Sequence, residues 1–215
     1  MEKTVKQRAA VDGLDGSSST LETRWREVER RDRDHLVEIS GFSPACDRAL
    51  AFRCLGGRVI VDFEKRRLNI QGEIIRDTRD LPVLEMVTLE YLKKVDALYP
   101  ADEDIVGCRD LKEGHFFSGV HEFRLGELTE RFAKNPEAVS AAAMHLGGSS
   151  VEMADEAYRL LPFPRVPLYY LMWRGDEEFA PRILVLLDRS IERALRADAI
   201  WALVNLVSNS MARTA

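Results

Sequence analysis

The sequence predicts an α+β protein: an antiparallel sheet built from two hairpin regions, with helices packed on it. Three observations carry that expectation. Apolar residues recur at intervals of three and four in several windows, the mark of helices with one buried face. Short apolar runs rich in β-branched and aromatic residues gather in two stretches, 49–70 and 157–187. The connections within each stretch are too short for a parallel crossover of roughly a dozen residues, so antiparallel pairing is the economical arrangement. A chain of 215 residues, 46% hydrophobic, is long enough to bury its own core. The expected organisation is a disordered tail over 1–18 and a single α+β domain over 19–215.

The tail is polar and holds Asp12-Gly13, Asp15-Gly16 and the start of a serine run, a composition too poor in apolar surface to offset ordering entropy. Ser19 to Glu22 then reads as a capping box opening a helix. Leu21, Trp25 and Val28 share one face of it. Glu22/Arg26, Glu27/Arg31 and Glu29/Arg33 stand at i, i+4 with the acid first, as a solvated helix face would place them. A charged partner-binding arm is the other reading of this run.

Ala49–Leu55 and Arg58–Phe63 flank Gly56-Gly57, whose glycines suit the positive φ of a primed hairpin turn. Lys65-Arg66 turns the chain again into Leu68–Ile70, completing a three-stranded meander. Asp80 before Leu81-Pro82 marks a helix start, acid at the N-cap and proline in the first turn. Leu84, Val87, Tyr91, Val95 and Leu98 define its buried stripe, with Tyr91 read as core or rim. Two more helices are expected near Leu125–Ala133 and Pro136–His145, with Asn135 as the cap between them and Gly147-Gly148 as the stop.

Beyond the glycines the period changes to strands: residues 157–163, Val166–Trp173 and Ile183–Leu187. The short polar segment from Arg174 to Pro181 makes the last two a hairpin. Asp198 caps a terminal helix whose inward residues are Ile200, Leu203, Val204, Val207 and Met211.

Composition removes several functions. With 31 Lys+Arg against 36 Asp+Glu the net charge is −5, and residues 1–34 balance acid and base. No basic face for nucleic acid is visible. No run approaches the roughly 18 to 20 apolar residues of a membrane span, and the N-terminus has no signal-peptide core, so a cytoplasmic location without membrane or nucleic-acid partners is expected. Cys46, Cys54 and Cys108 are an odd set lacking CxxC spacing, which suits free thiols. Cys108 with His115 and His121 matches no standard zinc spacing, so no metal site is expected. Neither a glycine-rich nucleotide fingerprint nor a nucleophile elbow occurs.

A dense acidic cluster outside the first helix is Asp176-Glu177-Glu178, framed by Arg174 and Arg182, with Asp188 at the end of the following strand. Enclosed carboxylates of this kind hold a hard cation or divide acid and base roles; a solvated turn whose acids pair with arginine is the alternative. Pro162, Pro164 and Pro167 stiffen the chain around Arg165, which suits a carboxylate or phosphate ligand or else an internal pair. Gly147-Gly148 either presents N–H groups to an anion or only ends a helix.

Leu146-Gly147-Gly148, Asp155, the Pro162–Pro167 run, the Trp173–Phe179 run and Leu186–Ser190 together resemble an uncharacterised prokaryotic family, domain of unknown function family 3786. The resemblance spans roughly 45–207. It implies a setting common among anaerobes, near redox or cofactor metabolism, and some members carry a cysteine-rich iron-sulfur segment that this chain lacks. No activity comes with it.

The expected function is binding of a small anionic ligand or an unidentified cofactor, at a site where the proline-stiffened border, the acidic turn and the glycine loop meet. Arg165 and Arg174 would hold the anion, Asp176, Glu177 and Asp188 would orient them, Trp173 would supply an apolar wall, and Gly147 and Gly148 would border it. The alternatives are a non-catalytic interaction module, with a homo-oligomeric or redox-protein partner, and a metal-assisted enzyme.

Overall fold

The computed structural model describes residues 18–72, 78–98 and 100–215. The expected tail therefore lies outside the described residues, apart from Ser18, which already belongs to the first helix. In chain order the helices are α1 (Ser18–Glu29), α2 (Arg33–Ser40), α3 (Leu81–Lys94), α4 (Gly126–Lys134), α5 (Pro136–His145), the single turn α6 (Ile191–Ala194) and α7 (Ala197–Thr214). The strands are β1 (Ser43–Cys46), β2 (Ala49–Cys54), β3 (Gly57–Asp62), β4 (Arg67–Gln71), β5 (Ile105–Gly107), β6 (Ser149–Ser150), β7 (Glu156–Phe163), β8 (Val166–Trp173) and β9 (Arg182–Asp188).

The two hairpin regions form two sheets, ordered β1-β2-β3-β4 and β5-β9-β8-β7-β6, with every neighbour antiparallel. β1 is an extra strand on the expected meander; its four exposed residues include Pro44 and give no alternating signal. The β2–β3 turn is offset by one residue from expectation. Leu55 and Gly56 are its central pair, at φ 45° and 81°, while Gly57 already pairs with Cys54. A leucine in the left-handed region is unfavourable, and here it is tolerated because its side chain is buried in the core.

α7 is buried along nearly its whole length and touches α3, α4 and α5, as expected of a helix apolar on most sides. One core runs from Trp25 to Ala212 and includes the inner faces of both sheets. A stack of rings joins the sheets: Phe163 of β7 lies 5.0 Å from Phe52 of β2 and 4.9 Å from Tyr91 of α3, and Phe42 lies 4.2 Å from Phe52. Tyr91 is core, as expected, and its hydroxyl donates to the carbonyls of Ser40 at 2.7 Å and Pro164 at 3.2 Å. Leu98, expected inside, is 41% exposed, since α3 ends at Lys94.

Long-range pairs replace several local ones. Arg31 lies beyond α1 and donates to the carbonyls of Leu92, Lys93 and Val95, closing the C-terminus of α3. Glu29 pairs with Arg66 and Glu27 with Lys93; of the expected helical pairs Glu22–Arg26 forms, at 3.2 Å. Asp80 makes no cap bond and instead pairs with Arg213. Asp198 likewise is not the N-cap of α7: Arg196 holds that position, and the Glu113 carboxylate accepts from Ala197 N at 3.3 Å. Among the described residues no helix is long and apolar enough to cross a membrane.

Candidate functional site

β8 decides the fate of the expected site. Arg165 occupies the turn before this strand and Arg174 follows its last residue, so their Cα atoms stand about 30 Å apart along an extended chain. That separation sets the two arginines at opposite ends of the strand. Asp188, at the end of β9, lies at the Arg165 end, since Leu187 pairs with Leu168 and Trp173 with Arg182. Pro162 and Pro167 fall inside the ladder and Pro164 in the turn: the β7–β8 register slips between Leu160 and Phe163, opposite Pro167, where a missing N–H is tolerated in a bulge.

Gly147 and Gly148 are equally committed. Gly148 N donates to Ala143 O at 2.9 Å and Gly147 N to Met144 O at 3.0 Å, the paired bonds of a Schellman motif closing α5. Their N–H groups satisfy the helix's own carbonyls and are not offered to an anion.

Arg174, Asp176 and Glu177 do line one hollow of about 500 Å³, with Phe132, Pro136 and Phe179 among the other walls. Its chemistry does not suit an anion. Arg174 is paired with Glu156 and with Glu137. Asp176 accepts from Phe179 N at 2.7 Å and Glu178 N at 2.8 Å. Those bonds hold its carboxyl below the usual range and make it the organiser of its own turn. Trp173 is half-buried beneath Arg182, whose guanidinium lies 5.4 Å from the ring centre. Asp188 is buried and accepts from the N–H groups of Glu103, Asp104 and Ser190, pinning the 103–104 segment to the sheet.

Arg165 is exposed at φ 61°. Among the described residues no three His, Cys, Asp or Glu side chains converge as a metal requires. His121 instead stacks on Phe116 at 4.2 Å. Cys54 is buried, which pushes its thiol up to about 12; Cys46 is exposed and Cys108 half-buried.

A different hollow, about 590 Å³, opens where the end of α3, the 111–117 segment, α6 and the start of α7 meet. Leu111, Phe117, Leu195 and Ile200 supply its apolar surface, and Lys94, Lys112 and Arg196 its positive groups. Lys94 is positioned by two carbonyls at the C-terminus of α6, those of Glu192 and Leu195, the latter at 2.7 Å. Burial lowers the pKa of its ammonium, against the opposing pull of Glu113 and Glu192.

Glu113 and Glu192 also line this hollow, and each accepts one backbone N–H. Glu192 accepts from Lys112 N, and Glu113 from Ala197 N. Arg196 has only a loose, exposed contact with Asp198 at 3.9 Å. An ammonium has three donors, and among the described residues two of those on Lys94 are bonded. The walls carry three cations against two carboxylates, a net positive charge. The sequence carried little sign of this. Lys93-Lys94 reads as an ordinary basic helix end, and its partners lie about a hundred residues away.

Comparison with curated proteins and with solved structures finds no match. The family comparison does. The Schellman stop at Gly147-Gly148, the Arg174–Phe179 turn, Asp188 and the greater part of α7 all fall within residues 32–210, which match the profile described as Domain of unknown function (DUF3786), and the chain belongs to that family.

Proposed function

We propose that this protein binds a small ligand carrying an anionic group on an apolar body, and that it does so in the hollow of Lys94 and not between Arg165 and Arg174. The observation that carries the reading is Lys94 itself: a half-buried ammonium, held by two backbone carbonyls, on the wall of a cavity with an apolar surface. A fixed cation beside apolar surface gives orientation and affinity together. A carboxylate or phosphate would take the remaining donor of Lys94 with those of Arg196 and Lys112, and its hydrocarbon part would cover Leu111, Phe117 and Ile200. The reading requires no catalytic step.

Calorimetric titration with octanoate and octylamine tests it, the two probes sharing a tail and differing in charge. Octanoate binds the wild type more tightly than octylamine. Lys94→Met weakens octanoate by about ten- to a hundredfold, the worth of one charge-assisted hydrogen bond. Because that change also frees two carbonyls, the exposed pair Lys112→Gln and Arg196→Gln is measured beside it and lowers octanoate affinity without loss of folding. Equal affinity for the two probes, or octanoate binding unaltered in both variants, overturns the proposal.

A further inference from the structure

Arg53 of β2 and Arg58 of β3 stand directly opposite each other in the ladder, and Gln71 continues the row on β4. Opposed residues in an antiparallel register project to the same face with Cβ atoms about 5 Å apart. That face is the outer one. Phe52, Cys54 and Val59 turn inward and are buried, while Arg53, Arg58 and Gln71 are exposed. Like charges directly opposed destabilise a sheet, and a neighbouring carboxylate is the usual remedy. Here none is supplied: among the described residues neither guanidinium has a hydrogen-bond or ion-pair partner. Asp62, the acid on the same face of β3, starts about 13 Å further along the strand and is occupied with the N–H groups of Glu64 and Lys65.

The two arginines also sit on a rigid mount. They flank the Leu55-Gly56 turn, and that turn is pressed against the end of α5: a methyl group at Gly56 would stand 2.9 Å from the His145 carbonyl oxygen. The backbone presenting the pair is therefore held by packing before any ligand arrives, which reduces the ordering cost of binding.

We infer that Arg53 and Arg58 form a clamp for a phosphate group, with the Gln71 amide as a further donor. Two planar forks match the oxygens of one multiply charged oxyanion, and an anion between them converts a repulsive pair into two attractive ones. Free phosphate and the monoester of a small organic molecule present the same group. The clamp is on the outer face of the four-stranded sheet and is independent of the Lys94 hollow.

Thermal unfolding at constant ionic strength, with chloride replaced by inorganic phosphate, pyrophosphate or glycerol 2-phosphate, tests the clamp. Pyrophosphate raises the wild-type midpoint, by about 3 °C at ten times its Kd and further with the logarithm of its concentration. A glycerol 2-phosphate response stronger than that of phosphate assigns an organic phosphate, and equal responses assign the inorganic ion. The double variant R53Q/R58Q loses the response. R58E, which places an acid opposite Arg53, melts higher than wild type in chloride and does not respond to pyrophosphate. A pyrophosphate response that persists in R53Q/R58Q, or an R58E midpoint in chloride no higher than wild type, overturns the inference.

Discussion

Gly147 closes α5 in the left-handed conformation, φ 78°, and meets the hairpin turn so closely that a β-carbon on it would stand 3.0 Å from Gly56 N. Two backbones thus touch where neither has room for a side chain. Gly56 is the tighter of the two, its own hypothetical β-carbon 2.9 Å from the His145 carbonyl oxygen at φ 81°. Gly56→Ala is expected to destabilise the fold by about 1–3 kcal/mol, adding left-handed strain to a backbone clash. Gly147→Ala has a smaller effect in the same direction. Urea unfolding of the two variants against wild type measures both.

Phe163 is the ring shared by both sheets and by α3, stacked on Phe52 and Tyr91. Its removal leaves a void where β2 and β7 meet through aromatic side chains. Phe163→Ala is expected to lose about 3–5 kcal/mol, and Tyr91→Phe about 1–2 kcal/mol by stripping the buried Ser40 carbonyl of its donor. Equilibrium unfolding followed by near-ultraviolet circular dichroism reports both losses.

Arg165 follows Pro164 in the β7–β8 turn with φ 61°, the second central position of a turn that favours glycine. Its side chain is exposed, so little packing offsets the strain. Arg165→Gly is expected to raise stability by about 0.5–1 kcal/mol, seen as a higher urea midpoint with unchanged slope.

Asp102 takes Arg159 at 2.7 and 2.9 Å and also accepts the Tyr169 hydroxyl. The Arg159 bond above all holds its carboxyl below the ordinary range. The folded protein therefore protonates Asp102 at lower pH than the unfolded chain does. Its contribution is complete above its unfolded pKa of about 4 and disappears as pH falls through the lower folded value. Asp102→Asn, which tolerates the same positive φ, is expected to cost about 0.5–1 kcal/mol at pH 7. The two proteins converge once Asp102 is protonated in both states, which stability curves from pH 2 to 7 reveal.

Local chemistry was enough to read most of the elements. Asn135, accepting from Ala138 N, the glycine stop of α5, and the strands β7 to β9 depend on dihedral preference and on hydrophobic period, which act over a few residues. β1 escaped because Pro44 and its small exposed neighbours carry no period. The division into two sheets escaped because strand pairing between regions is not written in either region.

The candidate site was the least legible part, and for one reason. From sequence alone Arg165 and Arg174 are near neighbours, and a strand of eight residues turns that nearness into separation. Lys94 and Leu195 are distant in sequence, and the packing of α3 against α6 brings a charge to a carbonyl. The residues determined which segments become helix and strand and which side chains seek the interior. Only tertiary packing decided which charges share a cavity, because Coulomb and hydrogen-bond energies depend on distances through space that the order of the chain does not contain.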